Sequence, residues 1–172
     1  WEAGVRAASG EYMTIVEDKQ MLYPRALATI YDAVKKDRPL SVTWYVDAIN
    51  NTNPAACEFT NLFGRLDRAT ETITSVSLLK HFMKTGHEGS LFVLPRGLNS
   101  CTHRSLIERI HQSPAGRMCL PIAPDYTMAY TQLAFADHVL RINQALSAIA
   151  WATSNGMAYM TKDSKGVITQ FI

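Results

Sequence analysis

Glu17 and Asp18 close a short apolar run, Tyr12 to Val16, and a proline follows at position 24. In an open α/β sheet, carboxylates at the carboxyl end of a strand stand where ligands bind. Neighbouring residues in extended backbone face opposite sides, so the two carboxylates reach one ligand only if the chain turns before Pro24. In that arrangement one carboxylate holds a divalent cation bridging phosphates, and the other holds a hydroxyl. Mg²⁺ and Mn²⁺ are the cations expected, because both take hard oxygen ligands and leave room for phosphate oxygens. The structural alternative is a polar strand end followed by a helix cap.

A second carboxylate lies far along the chain, in Ala123-Pro124-Asp125-Tyr126. Pro124 ends an extended run, so Asp125 falls at a helix N-terminus, where free amides and the helix dipole favour its charged form. A carboxylate held there can take the proton of an attacking hydroxyl; the alternative is an ordinary cap. Between the acidic spots, Arg96, His103 and Arg104 flank a polar stretch, Asn99 to Thr102, that reads as a binding loop. The two arginines suit bidentate phosphate contact. Cys101 and His103 do not assemble with an orienting group into a nucleophilic triad. Trp44 and Tyr45 alternate on a strand and could stack a base or sugar, with core packing as the alternative.

The elements that must position these groups alternate between strand and helix. Ala3 to Ser9 predicts a short helix ended at Gly10, and Tyr12 to Val16 a strand. A helix is expected from Pro24 to Lys36, with Ala26, Leu27, Ile30, Tyr31 and Val34 at helical spacing and Asp37-Arg38-Pro39 as its stop. Ser41 to Ile49 is the strongest strand. Asn50 to Pro54 predicts a turn, with Asn53 capping a helix that opens at Pro54. Asn61 to Thr74 is polar and reads as a surface excursion or a short helix. A helix over Ser75 to Lys84 ending at Gly86 is expected next, then a strand over Leu91 to Leu94. A helix capped by Thr102 or Ser105 runs to His111, and Met118 to Ile122 is extended. A helix follows Asp125, then a last strand over Asp137 to Ile142, and an Ala-rich helix over residues 144–153. Such alternation predicts an α/β fold with a mixed, mostly parallel sheet and helices on both faces. The expected core spans residues 1–155, with residues 156–172 as a tail or extra element.

Composition narrows the partners. The chain has 172 residues, 47% of them hydrophobic, and a net charge of only +2. Its Lys and Arg are scattered rather than gathered on one face, which argues against a nucleic-acid partner. Cys57, Cys101 and Cys119 are widely spaced and odd in number, which excludes a Cys-x-x-Cys zinc site and fits a reducing compartment. A cytoplasmic location is expected, with the cytosolic face of a membrane as its variant. No apolar run is long enough to span a bilayer. Trp1 begins as if inside a helix, so a fragment or processed product is expected.

Taken together, Trp1-Glu2-Ala3-Gly4 through Ala8-Ser9-Gly10-Glu11-Tyr12, the strand after it, and the acidic spot before Pro24 resemble the inverting family-2 glycosyltransferases, whose catalytic domain has the GT-A fold. Leu94-Pro95-Arg96-Gly97, Arg104 to Glu108, Gly116 and Pro124-Asp125-Tyr126 resemble that family's acceptor-side segment. The resemblance implies transfer of a sugar from a nucleoside-diphosphate-sugar donor to a saccharide, lipid or protein hydroxyl, with inversion. It puts Glu17, Asp18, Lys19, Arg96 and Arg104 on the donor, His103 and Tyr126 on the acceptor, and Asp125 in the role of general base. Mn²⁺ or Mg²⁺ would be held by Asp18.

Two departures matter. Lys19 stands where the family carries the acidic residue nearest the metal; a protonated lysine cannot ligate a cation, though it can neutralise a diphosphate. Either Asp18 takes over the metal, or the cation is dispensed with. The family's nucleotide-binding βαβ segment would precede Trp1; a chain without it is expected to fold poorly, to bind donor weakly, or to be completed by another chain or a second copy. The alternative function is a non-catalytic α/β module that binds a sugar nucleotide, a polyphosphate or a partner protein.

Overall fold

The computed structural model describes residues 1–50, 58–60, 69–90 and 94–150. Helix α1 (Glu2–Ala7) leads into strand β1 (Tyr12–Thr14), β2 (Gln20–Leu22) and helix α2 (Ala26–Asp37). Strand β3 (Ser41–Asn50), the short β4 (Glu58–Thr60), β5 (Thr70–Thr74) and helix α3 (Ser75–Ser90) follow. A 3-10 turn (Gly97–Asn99), β6 (Ser100–His103), α4 (Arg104–Gln112), α5 (Pro124–Phe135) and β7 (His138–Ala150) complete the described chain.

One mixed sheet holds these strands in the order β1-β6-β3-β7-β2, with β4 beside β3 and β5 beside β7. Among the described residues, β3 and β7 form its only parallel pair, and the other five pairings are antiparallel. The α/β architecture is therefore as expected, while the balance of the sheet is antiparallel rather than mostly parallel.

Both faces of the sheet are covered. Ala26, Ile30 and Val34 recur every fourth residue on α2 and bury against Val42, Trp44 and Val46 of β3 and Leu140 and Ile142 of β7. Each large apolar side chain buried this way contributes about 1.5–3 kcal/mol. Arg38 ends α2 in the left-handed conformation with φ 44°, its N–H returning to the Val34 carbonyl. On the opposite face, Val139 joins Leu133 and Ala129 of α5 and Leu78 of α3. A third cluster gathers Val5, Met13, Leu106, Ile110 and Met128 between α1, α4 and α5.

Several expected elements differ. Residues 144–150 continue β7 as strand rather than helix. Ala145, Ser147, Ala148 and Ile149 pair with β3, and the last three also pair with β2, so ladder formation overrides alanine's helical preference. Irregular register opposite Trp44, Tyr45 and Val46 absorbs the extra residues of β7. Thr70–Thr74 is an edge strand on β7, not a helix. Helix α3 passes Gly86 and runs to Ser90. Met118 to Ile122 joins no sheet, because the Met118 and Cys119 amides donate to the Glu2 carboxylate and the Leu120 amide to Thr127 Oγ1 rather than to a sheet edge. Pro24 lies in the turn before α2, where Tyr23 accepts from Arg25 and Ala26. The turn and helix expected after Asn50, most of Leu91 to Leu94, Cys57, and the boundary at residue 155 with its tail all lie outside the described residues. No helix among the described residues is long and apolar enough to cross a membrane.

Candidate functional site

Strands β1 and β2 lie at opposite ends of the main strand order, so residues 15–19 must cross the sheet between them. They cross at the carboxyl-terminal half of β3 and β7. The Gln20 N–H donates to the Glu17 carbonyl at 3.1 Å, closing a four-residue turn with Asp18 and Lys19 at its corner. The Lys19 carbonyl accepts from the Ala150 N–H at 3.0 Å, which pins that corner to the end of β7. Asp18 is exposed there, while Glu17 and Lys19 are half-buried.

The same end of the sheet receives Arg96. Ser100, the first residue of β6, pairs with Thr43, so the 3-10 turn before it lies beyond the middle of β3. Asn99 is fully buried beneath: its amide donates to the Trp44 and Leu94 carbonyls, each at 3.1 Å, and Thr43 Oγ1 donates back to the Asn99 carbonyl at 2.9 Å. Gly97 is demanded by packing, since a Cβ there would stand 2.6 Å from Trp1 Cζ3. Arg96 is thus delivered from a braced segment. Its Nη1 lies 3.5 Å from Asp125 Oδ2 and 3.5 Å from the Tyr126 hydroxyl, and its guanidinium lies 5.3 Å from the Tyr126 ring centroid.

Asp125 occupies the first turn of α5, as its position after Pro124 predicts, although the residue before the helix, Ala123, is left-handed with φ 45°. The electrostatics tie this carboxylate to the corner across the sheet. Burial, and then the Asp125 and Asp18 charges, hold the Glu17 carboxyl above its ordinary range; Lys19 and Arg96 pull the other way. Burial also raises the Tyr126 hydroxyl, with Arg96 opposing and Asp125 adding to the rise. Tyr130 is raised by burial and by Asp125. Glu17, Arg96, Asp125 and Tyr126 therefore share one field, from opposite ends of the chain. A cleft of about 340 Å³ bordered by Trp1, Ala8, Met13 and Ile15 ends at Glu17. A second, also about 340 Å³, is bordered by Trp1, Arg117, Leu120 and Pro124.

His103 and Arg104 are not brought to this site. Strand β6 runs against β3, so its last residue lies level with the start of β3, where the His103 N–H meets the Leu40 carbonyl. His103 Nδ1 caps α4 by accepting from the Ser105 N–H, and its ring stands edge-on to Tyr12 at 4.8 Å. Arg104 spends its guanidinium on the Ala8 and Gly10 carbonyls at 2.7 to 2.9 Å. Phosphate contact by Arg104 and acceptor contact by His103 give way to these local roles. Trp44 is core, and Tyr45 is buried with the Arg141 guanidinium 5.5 Å from its ring centroid.

Among the described residues no group of three His, Cys, Asp or Glu is placed to hold a metal ion. The corner supplies carboxylate oxygens from Asp18 and Glu17 beside Lys19, an incomplete cage. A six-coordinate cation fits only if a ligand's phosphate oxygens and water fill the remaining positions.

Tyr130 and Gln132 are the residues that pattern alone passes over. Gln132 carried a signal: it falls on the buried stripe of α5 with Met128, Ala129 and Leu133, where a polar side chain needs a reason.

No family model matches the sequence, and no curated protein matches it. Solved structures do. S. aureus TarS 1–349 in complex with UDP-GlcNAc superposes with a TM-score of 0.60 at 10% identity, over 91% of this chain and 39% of that one. A second structure of S. aureus TarS 1–349 gives 0.54 at 12% identity, over 88% of this chain and 39% of that one. The chain thus has a glycosyltransferase-like fold and spans well under half the length of these neighbours.

Proposed function

We propose that this chain forms the catalytic side of a GT-A-like, inverting glycosyltransferase of the family-2 kind. The observation that carries this is the meeting of Glu17 and Asp125 around Arg96 at the carboxyl-terminal end of β3 and β7. Asp125 takes the proton of an acceptor hydroxyl as its oxygen bonds to the anomeric carbon. The bond from that carbon to the diphosphate breaks on the opposite side, and its electron pair leaves on the phosphate oxygen. Lys19 and Arg96 offset the charge that builds there. Glu17 accepts from a donor hydroxyl, and Tyr126 lines the acceptor side. Asp18 would hold Mn²⁺ or Mg²⁺, whose charge would offset the negative charge of the leaving diphosphate.

UDP-GlcNAc, bound by one structural neighbour, is the first donor to test. Release of UDP should be measured with parent protein and Asp125→Asn, with and without Mn²⁺. UDP release by the parent and not by Asp125→Asn supports transfer; equal release by both removes Asp125 as base. Lys19 at the corner favours a second function, a sugar-nucleotide-binding module without transfer. Calorimetric binding of UDP-GlcNAc with no release would select it, and no binding would reject both.

A further inference from the structure

We propose that Gln132 is the positioning residue that sets Asp125 against Arg96. This deepens the transfer function above, although its structural part stands without turnover. Gln132 follows Asp125 by seven residues, two helical turns, so both project from one face of α5. Its side chain is fully buried and uses every hydrogen-bonding position an amide has. Oε1 accepts from Ser41 Oγ at 2.7 Å and Thr102 Oγ1 at 2.9 Å, which tie it to β3 and β6. Nε2 donates to the Pro95 carbonyl at 2.6 Å and to Ser100 Oγ at 3.3 Å. Ser100 Oγ in turn donates to the Arg96 carbonyl at 2.6 Å.

The backbone on either side of the Arg96 α-carbon is therefore lashed to α5, through Pro95 before it and its own carbonyl after it. Asp125 is the other end of the same lash. An apolar residue would bury at position 132 without the cost of desolvating an amide, but it would leave the helix free to slide along the 95–100 segment. The donors and acceptors of the amide lie on different atoms, so its orientation specifies one register. That register holds Asp125 3.5 Å from Arg96 and within the field of Glu17.

The test is the NMR resonance of the Arg96 guanidinium, which the Asp125 carboxylate and the Tyr126 ring both shift, recorded in parent protein, Asp125→Asn, Gln132→Met and a control, Val34→Ala, which loosens α2 on the other face. In Gln132→Met, Asp125 withdraws, and the Arg96 resonance should move toward its position in Asp125→Asn, with little further movement when the two substitutions are combined. The control should leave it in place. Where Gln132→Met does not fold, Ser41→Ala removes one hydroxyl that orients the amide and should move the resonance in the same direction. An unmoved resonance in the folded variant, or an equal movement in Val34→Ala, overturns the proposal. A moved resonance in Gln132→Met, where the parent releases no UDP, supports the lash and rejects only transfer. Where transfer is present, kcat should fall in Gln132→Met with the donor KM unchanged.

Discussion

Glu2 and Glu17 border the two clefts that meet at Trp1, and the fold treats them in opposite ways. Burial would raise Glu2, but the Cys119 and Met118 amides at 3.1 and 2.9 Å, with His111 at 2.9 Å, outweigh it and hold the carboxyl below its ordinary value. Glu17 is also partly buried, yet its neighbours include two further carboxylates, and it sits above its ordinary value. The fold favours the charged form of one carboxylate. It works against the charged form of the other, which is the condition expected of a group kept for a ligand.

The sharpest break between the two regions is in catalysis. Asp125→Asn should lower transfer by about 10²–10⁴-fold while leaving thermal unfolding nearly unchanged. A fall in transfer matched by a fall in Tm would make Asp125 structural, like Glu2. Next in size, Glu2→Ala should cost about 1–3 kcal/mol, because it strands buried amides of the 116–119 loop; urea unfolding with unchanged m would measure it. Arg104→Ala should cost about 1–2 kcal/mol by freeing the Ala8 and Gly10 carbonyls, with UDP binding unaffected in a calorimetric titration. A specific loss of UDP affinity would instead move the ligand toward the far end of β6.

Smallest is the pH signature. Glu2, lowered in the fold, contributes stability that is present above its unfolded value and is lost as pH falls through its folded one. Glu17, raised in the fold, destabilises at neutral pH, and that penalty is relieved as pH falls through its folded value toward its unfolded one. Glu17→Gln should therefore raise Tm slightly at pH 7 and have little effect below pH 4, whereas Glu2→Gln should lower Tm at pH 7 and converge with the parent in acid. Parallel curves for the two variants would erase the distinction.

Local features were legible in the residues, and distant ones were not. Pro124 before Asp125 marks a helix start by its own ring, and Ile30 and Val34 mark a buried face by their spacing. The carboxylates before Pro24 were readable as a strand-end corner for the same reason. Ala145, Ala148 and Ala150 were misread as helix, because only their partners on β3 and β2 make them strand. Arg104 looked free for phosphate because the carbonyls that occupy it belong to a linker far back in the chain. The burial of Gln132 depends on four partners outside its own helix, although its place on an apolar stripe hinted at it.

The acidic corner between β1 and β2 is made early and completed late. Its flanks are held by β6 and β7, so a nascent chain carries Glu17 and Asp18 with no fixed geometry until the last described strand has left the ribosome. Contacts this far apart in sequence slow folding. A chain stopped before residue 138 would lose the strand against which α2 packs and would have no assembled place for a ligand.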